Sequence, residues 1–232
     1  MERELVVVLP VYNEAPTLLA VLKAVREFWP GEILVVDDGS TDATPSLAEA
    51  GGARVLCHGR NRGYGAAVMS GLGWAREQGF RWAITLDADL QHEPQFIPRF
   101  LERVREGEVD VVSGSRYLDP RLARDPAPEV RRWVNGIITH LIREITGYCI
   151  TDAFCGFRAW RLEPVLALGL REEGYAFPVE FWIKAAAKGL RVEEVPVPLV
   201  YHDFSKGVGK RPPRERLAEY LRVAGEALRW TC

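Results

Sequence analysis

The carboxylates best suited to chemistry stand just after short apolar segments of the sequence, at Glu14, Asp37, Asp38, Asp87 and Asp89. Carboxylates that converge repel one another unless a cation joins them. Asp87 and Asp89 are two residues apart, and carboxylate oxygens are ligands that suit Mg²⁺ or Mn²⁺. Because Mg²⁺ usually binds through one or two carboxylates together with substrate phosphates, this pattern predicts a metal-dependent site for a nucleoside diphosphate. A solvated turn is the alternative interpretation of the Asp-x-Asp pair.

Several other kinds of site are not indicated by the sequence. It contains no G-x-x-x-x-G-K-[ST] loop and no G-x-G-x-x-G turn after the first strand, which disfavours P-loop and dinucleotide-binding proteins. The four histidines lack metal-ligand spacing, so we predict surface or capping roles, with His92 near the Asp-x-Asp pair as the exception to examine. The four cysteines form no CxxC pair, so we expect reduced thiols rather than a zinc site or disulfides.

Composition bounds the class of protein further. The chain has 232 residues, of which 47% are hydrophobic and 27% are charged, as is typical of a soluble globular protein. A net charge of -2 disfavours a nucleic-acid partner. No apolar run approaches the ~20 residues of a membrane span, and the mixed charge of residues 1–4 disfavours a signal peptide. We therefore expect a cytoplasmic protein whose contact with a membrane, if it has one, is peripheral and at the inner face.

The spacing of apolar residues predicts the elements that position the carboxylates. Short strands are predicted at residues 5–9, 33–36, 53–57, 82–86 and 109–113, and segments with helical periodicity separate them. Regular alternation of this kind indicates an α/β protein with a mostly parallel sheet and helices on both faces. Ligands of such sheets bind beyond the carboxyl ends of the strands, which is where the carboxylates lie.

The second half of the sequence is less regular. Residues 119–128 are rich in proline and charge and are predicted to form a surface loop. The other predicted elements are an apolar helix at 133–145, a short strand at 157–160, a helix at 179–188, an extended segment at 192–201, a basic stretch at 206–216 and a terminal helix. We predict a single domain over residues 1–232.

Five segments, in the same order along the chain, resemble the signatures of family 2 glycosyltransferases. They are Leu9-Pro10-Val11-Tyr12-Asn13-Glu14, Val35-Val36-Asp37-Asp38-Gly39-Ser40-Thr41-Asp42, Asn61-Arg62-Gly63-Tyr64-Gly65, Leu86-Asp87-Ala88-Asp89-Leu90-Gln91-His92 and Gly114-Ser115-Arg116-Tyr117. Within that family, the sequence is most similar to dolichyl-phosphate mannose synthases and to bacterial polyprenyl-phosphate glycosyltransferases. Five motifs in the right order are far more specific than any one of them.

The resemblance implies a GT-A-type fold, a Mg²⁺ or Mn²⁺ ion, and the inverting transfer of a hexose from GDP-mannose or UDP-glucose to a polyprenyl or dolichyl phosphate. Residues 5–118 would form the nucleotide-sugar and metal half, and residues 119–232 the acceptor half with the C-terminal helix. By motif position, Pro10, Tyr12 and Glu14 would line the nucleotide, Asp38 would hold its base or ribose, and Asp87, Asp89 and Gln91 would meet the metal and the diphosphate.

The catalytic candidates are Asp89, Arg116 and Asp152. Arg116 would face the phosphates or the acceptor, and Asp152 opens a segment, residues 152–158, that looks like the family's Asp-x-x-x-Gly-Phe-Arg. One departure from the family concerns the residues before Ser205. It keeps Ser205-Lys206, which assigns Lys206 to the donor site, but it lacks the arginine that precedes them in the synthases. The basic partner of the diphosphate is therefore open.

A lipid phosphate is ionised at neutral pH, so its attack needs cations for positioning and no general base. The candidate cations are Arg116, Arg131, Arg132 and Lys206. On this basis we expect Arg116→Ala to lower turnover strongly, and Asp152→Asn to be tolerated better.

If the acceptor is a lipid, some of Trp133, Ile137 and Ile142 should be exposed near the mouth of the site, and core packing is the alternative. Other functions stay open at this point. They are a glycosyltransferase with a hydroxyl acceptor and a non-catalytic nucleotide-sugar-binding protein. A nucleotidyltransferase is disfavoured because residues 10–14 contain neither glycine nor lysine.

Overall fold

The computed structural model describes residues 4–200 and 211–231. Seven strands of this part of the chain form one sheet. They are β1 (Leu5–Val11), β2 (Ile33–Asp37), β3 (Arg54–Cys57), β4 (Trp82–Thr85), β5 (Val111–Ser115), β6 (Arg158–Arg161) and β7 (Val192–Pro196). Their order across the sheet is β3-β2-β1-β4-β6-β5-β7.

Strand β6 runs antiparallel to both of its neighbours, β4 and β5, and the other neighbouring strands are parallel. The predicted α/β fold with a mostly parallel sheet is therefore confirmed. Because β6 runs in the opposite direction, the residues that precede it reach the edge where the parallel strands end. Residues 152–157 thus join the candidate site.

Helices cover both faces of the sheet. They are α1 (Leu18–Phe28), α2 (Thr44–Ala50), α3 (Tyr64–Glu77), α4 (Ile97–Glu106), α5 (Glu129–Thr146), α6 (Leu162–Leu166), α7 (Phe177–Ala187) and α8 (Pro213–Thr231). Side chains of β1 alternate between two cores. Val6 and Val8 pack with α3, α5, α6, α7 and α8, whereas Leu5, Val7 and Leu9 pack with α1, α2 and α4.

Element boundaries differ from the predicted ones in the second half. The apolar helix begins at Glu129, four residues before its predicted start, and β5 is shifted by two residues along the chain. Helix α6 was not predicted, because five residues are too short for a helical period to be visible. The predicted surface loop contains a short 3-10 helix, Pro120–Leu122. No helix in the described residues is long and apolar enough to cross a membrane.

Candidate active site

A cavity of about 530 Å³ lies at the carboxyl edge of the parallel strands. It is lined by nine of the residues predicted from the sequence, namely Pro10, Tyr12, Glu14, Asp38, Asp87, Asp89, Gln91, Arg116 and Arg131. Asp152 and Arg132 do not line it, and Lys206 lies outside the described residues. The strand order thus brings the first-half candidates together, as the parallel-sheet prediction requires.

Asp87 and Asp89 form the acidic floor of the cavity, directly after β4. Burial raises the pKa of Asp87 to about 6, although Arg116 and a hydrogen bond from Tyr64 act in the opposite direction. Burial and the neighbouring Asp87 also raise the pKa of Asp89. Two neighbouring carboxylates repel each other when both are ionised, and a bound cation would stabilise their ionised forms.

Gln91 holds Asp89 in place. Its backbone N–H donates to Asp89 Oδ1 at 3.0 Å, and its side-chain Nε2 donates to Oδ2 at 2.7 Å. The intervening Leu90 has φ 68°, in the left-handed region that leucine rarely adopts. This strained turn brings Gln91 back over the carboxylate. Strained backbone of this kind is common at functional sites. In this arrangement the Gln91 amide orients Asp89, and its role as a direct metal ligand stays a prediction.

The donor set fits a divalent ion that is shared with a substrate. Within the described residues, no group of three or more His, Cys, Asp or Glu side chains is close enough to hold a metal ion. Two carboxylates are nevertheless what Mg²⁺ commonly takes from a protein, with phosphate and water oxygens completing its shell. Asp87 and Asp89 are therefore the residues that would hold Mg²⁺ or Mn²⁺.

Gly156 gives Asp87 and Tyr64 the space they occupy. A Cβ at this position would lie 2.6 Å from Tyr64 Oη and 2.9 Å from Asp87 Oδ2. Real Cβ atoms do not approach other atoms this closely, so any side chain here would displace one of the two groups. The requirement for glycine in the Asp-x-x-x-Gly-Phe-Arg segment thus has a steric cause at the acidic floor.

Asp38 shapes the opposite end of the cavity. Its Oδ1 accepts hydrogen bonds from His58 Nδ1 at 2.7 Å and from the Arg62 N–H at 2.9 Å, and its Oδ2 accepts from the Gly63 N–H at 2.8 Å. Asp38 is almost fully buried, and its hydrogen bonds to the Arg62 and Gly63 N–H groups fix the glycine-rich turn that begins α3. Its contact with a base or ribose stays a prediction.

His92 caps the turn after β4. It is buried, and its Nδ1 accepts the Asp87 N–H at 2.9 Å. Burial lowers the pKa of His92 to about 4, so the ring is neutral at physiological pH. His92, the exception among the predicted histidines, therefore also has a capping role, and its Nδ1 is occupied by the Asp87 N–H.

Arg116 follows β5 and is held by a buried carboxylate. Its Nε and Nη2 donate to Asp152 Oδ2 and Oδ1 at 2.6 and 2.9 Å. Asp152 also accepts from Asn135 Nδ2 at 3.0 Å and from the Phe154 N–H at 3.1 Å. Burial alone would raise the pKa of Asp152, but Arg116 and these donors together hold it below its ordinary value.

This geometry does not fit the predicted catalytic role of Asp152. The side chain is 0% exposed, lies outside the cavity lining and is ion-paired, so it cannot reach an acceptor. It is a positioning residue for Arg116. The expectation that Asp152→Asn would be tolerated is corrected for the same reason, since the change would leave Arg116 without its carboxylate.

Arg158, the last residue of the Gly-Phe-Arg motif, is also buried away from the cavity. Its Nη2 donates to the Ala153 carbonyl at 2.8 Å and its Nε donates to Ser113 Oγ at 3.1 Å. The guanidinium lies 4.9 Å from the ring centroid of Trp182. Arg158 thus anchors the segment that carries Asp152 and Gly156.

Two helices of the second half of the chain also line the cavity, although the sequence did not connect α8 with the site. Arg131 and Asn135 reach it from α5, and Arg216 and Tyr220 reach it from α8. Arg131 was named as a candidate cation, but the other three carried no motif signal. Their place depends on the packing of α8 against α5 and α7, which no local pattern reveals.

Helix α5 presents an apolar surface beside the cavity. Trp133 is 57% exposed, Val130 is 48% exposed, and Ile137 is partly buried. Ile142 is fully buried in the core, so the exposure predicted for this group holds for Trp133 and not for Ile142. A shallow depression on this surface is lined by Glu129, Arg132, Trp133, Gly136, Ile137 and His140. We call Val130, Trp133 and Ile137 the α5 apolar surface.

An open, mostly parallel sheet with an Asp-x-Asp pair and a cavity at its carboxyl edge is the arrangement of GT-A glycosyltransferases. The profile described as "Glycosyl transferase family 2" matches residues 6–166. The chain belongs to this family. The five segments recognised in the sequence therefore predicted the family and its enzymatic class correctly.

Two named relatives are similar to this chain over most of their length. The chain is 32% identical to an undecaprenyl-phosphate mannosyltransferase of Micrococcus luteus, covering 86% of this chain and 84% of that protein. It is 31% identical to a polyprenol monophosphomannose synthase of Mycolicibacterium smegmatis, covering 88% of this chain and 79% of that protein. Among solved structures, glucosyl-3-phosphoglycerate synthase of Mycobacterium tuberculosis, in complex with Mn²⁺, UDP and phosphoglyceric acid, superposes with a TM-score of 0.75. That likeness, at 22% identity over 99% of this chain and 78% of that chain, supports the fold.

Proposed function

We propose that the protein transfers a hexose from a nucleotide sugar to the phosphate of a polyprenyl or dolichyl phosphate, with inversion at the anomeric carbon. The observation that carries this proposal is the separation of charge in the cavity. Among the described lining residues, the acidic ones are Glu14, Asp38, Asp87 and Asp89, and the basic ones are Arg116, Arg131 and Arg216. The acidic group follows β1, β2 and β4, and the basic group comes from β5, α5 and α8.

The acidic side suits the donor. Asp87 and Asp89 would hold the Mg²⁺ or Mn²⁺ ion, which when bound would neutralise charge that develops on the departing diphosphate. Tyr64 and Gln91 keep the two carboxylates oriented before substrate arrives. The aromatic rings of Tyr64 and Tyr175 stack with centroids 6.0 Å apart and form part of the wall. GDP-mannose and UDP-glucose are the donors to compare.

The basic side suits an acceptor that is already an anion. Among the described residues from Tyr117 onward, the cavity lining contains no carboxylate and no histidine. A hydroxyl acceptor would need such a base, whereas an ionised phosphate does not. In the proposed reaction, an acceptor phosphate oxygen forms the bond to the anomeric carbon as the bond from that carbon to the diphosphate breaks. Arg116, fixed by Asp152, would orient the attacking phosphate.

The α5 apolar surface supports a lipid acceptor. Arg131 lines the cavity, and Val130 and Trp133 are its neighbours on the adjacent, exposed side of the same helix. A phosphate held near Arg131 would therefore place the first isoprene units against exposed apolar side chains. Each lipid methylene buried there would contribute ~0.8 kcal/mol. This arrangement also supports a peripheral contact with the membrane that contains the lipid.

The reaction can be tested with paired acceptors. The protein is incubated with GDP-mannose or UDP-glucose and Mn²⁺, and with undecaprenyl phosphate, dolichyl phosphate or the corresponding free polyprenols. Mass spectrometry should detect a polyprenyl-phosphate hexose with one of the donors, and excess chelator should abolish it. Transfer to polyprenols and not to the phosphates would contradict the proposal and favour a hydroxyl acceptor. Donor binding without turnover on any phosphate would favour a nucleotide-sugar-binding protein.

A further inference from the structure

Arg216 is a buried arginine that forms no salt bridge with another described residue. It lies in the first turn of α8, is 5% exposed and lines the cavity. Within the described residues, its Nε is a buried side-chain nitrogen with no hydrogen-bond partner. No other buried side-chain nitrogen or oxygen of the described residues lacks a hydrogen-bond partner.

Two other arginines of the site region, Arg116 and the buried Arg158, have partners within the protein. Arg116 has the carboxylate of Asp152, and Arg158 donates to a carbonyl and to a serine hydroxyl. A buried charge is costly unless it is paired and hydrogen-bonded. An uncompensated guanidinium at the wall of a cavity is therefore a group that a ligand is required to satisfy.

The surroundings of Arg216 identify the chemistry of that ligand. Arg116 and Arg131 line the same cavity, and no carboxylate lines it on this side among the described residues. Helix α8 packs on α5, which carries Arg131. A group of arginines selects an anion, and the planar guanidinium matches phosphate oxygens with two parallel hydrogen bonds.

We infer that Arg216 binds a phosphate group of a substrate in this cavity. The inference rests on the proposed function, because that function brings two sources of phosphate to the cavity. One source is the diphosphate of the nucleotide and the other is the phosphate of the acceptor. Both offer the same chemistry to a guanidinium, so the experiment has one arm for each.

The first measurement is stability without ligand. If Arg216 serves a ligand, Arg216→Gln should unfold at the same temperature as the parent protein or at a higher one, because a buried uncompensated charge is removed. Arg214→Gln is the matched control, since Arg214 lies in the same helical turn, is exposed and does not line the cavity. A large fall in the unfolding temperature of Arg216→Gln alone would indicate a structural role and overturn the inference.

The second measurement is equilibrium binding by calorimetry. The probes are GDP and UDP with Mn²⁺ for the donor arm, and geranyl phosphate for the acceptor arm. Arg216→Gln should weaken at least one probe about tenfold or more, as loss of a charged hydrogen bond does. Arg216→Lys should recover part of that loss. The probe whose binding is weakened identifies which phosphate Arg216 contacts.

The outcomes separate this inference from the proposed function. Binding of every probe within twofold of the parent protein, or an equal loss in Arg214→Gln, would overturn the role of Arg216. If the parent protein transfers no sugar to any lipid phosphate but Arg216→Gln still weakens GDP or UDP, the proposed function fails and the phosphate-binding role of Arg216 stands.

Discussion

Arg116 and Asp152 form a bidentate ion pair, with Arg116 Nε 2.6 Å from Asp152 Oδ2 and Nη2 2.9 Å from Oδ1. Arg116 follows β5, and Asp152 precedes β6, the neighbouring strand. Because Asp152 is also held by Asn135 of α5, three elements fix the direction of one guanidinium. The cation that we assign to the acceptor is thus oriented before substrate binds.

Removing the carboxylate should therefore cost both stability and activity. We expect Asp152→Asn to lower the free energy of unfolding by about 3–5 kcal/mol, since it leaves Arg116 largely buried without its partner. Turnover should fall with it, and Arg116→Ala should lower turnover ~10²-fold. Urea denaturation and the transfer assay measure the two effects.

Asp119 and Arg121 provide a matched control for that pair. They form the same bidentate contact, at 2.9 Å for both bonds, but Arg121 is 87% exposed. Asp119→Asn should leave stability and turnover nearly unchanged, because exposed ion pairs contribute little. Equal effects of Asp119→Asn and Asp152→Asn would contradict the positioning role of Asp152.

The contribution of Asp152 should also persist under mildly acidic conditions. Its pKa is below the ordinary value of 3.8, chiefly because Arg116 outweighs the effect of burial. A carboxyl group with a lowered pKa in the folded state stabilises the fold above its unfolded pKa and loses that contribution as pH falls through the folded one. The stability difference between the parent protein and Asp152→Asn should thus stay constant from pH 7 to pH 5 and shrink only below 3.8. Denaturation of both proteins across this pH range shows whether their stability difference shrinks as the pH falls.

The metal requirement should depend on Asp89 and on the residue that orients it. Asp89→Asn should reduce turnover ~10²-fold or more at saturating Mn²⁺. Gln91→Ala removes the 2.7 Å hydrogen bond to Asp89 and should weaken Mn²⁺ affinity ~10- to 100-fold, as the loss of a ligand-orienting partner does. Calorimetric titration of Mn²⁺ with nucleotide present measures this affinity. Unchanged turnover in excess chelator would rule out the metal site.

Gly156→Ala should damage the acidic floor of the cavity. Its Cβ would lie within 3 Å of both Tyr64 Oη and Asp87 Oδ2, so at least one of these two hydrogen-bonded groups must shift, and donor affinity should fall at least tenfold. Gly73→Ala is the control, because a Cβ there in α3 meets nothing within 4 Å. That change should stabilise the protein by about 0.5–1 kcal/mol with normal activity. Normal donor binding in Gly156→Ala would show that the floor tolerates displacement.

The α5 apolar surface should discriminate acceptors by chain length. Trp133→Ser should raise the KM for undecaprenyl phosphate several-fold and leave the KM for geranyl phosphate within twofold, because only the long chain reaches past the cavity. Leu19→Ser serves as the control, since Leu19 is 44% exposed on α1, across the sheet. Co-sedimentation with vesicles that contain undecaprenyl phosphate gives a second readout. Equal effects of the two substitutions would exclude α5 as the lipid contact.

The sequence predicted the acidic side of the cavity far better than the basic side. Asp87 and Asp89 follow their strand directly, so strand prediction alone placed them at the carboxyl edge. Asp152 could not be interpreted in this way, because its role depends on a partner 36 residues away. Arg216 belonged to a basic stretch with the appearance of solvated charge, and only the packing of α8 determines which of these arginines is buried. The sequence also did not predict that β6 is antiparallel, because the spacing of apolar residues in a strand does not depend on the direction in which the strand runs.

The position of β6 also limits how the protein can be divided. Thr85 of β4 pairs with Arg158 of β6, 73 positions later, so β1 to β4 are synthesised well before the strand that closes the free edge of β4. An exposed strand edge is a template for pairing with other chains. A fragment of residues 1–118 would keep β4 open and leave β5 without either neighbour, β6 or β7. Chimeric enzymes that graft the donor site onto another acceptor domain must therefore carry the chain through Pro196, so that β6 and β7 pair with β4 and β5.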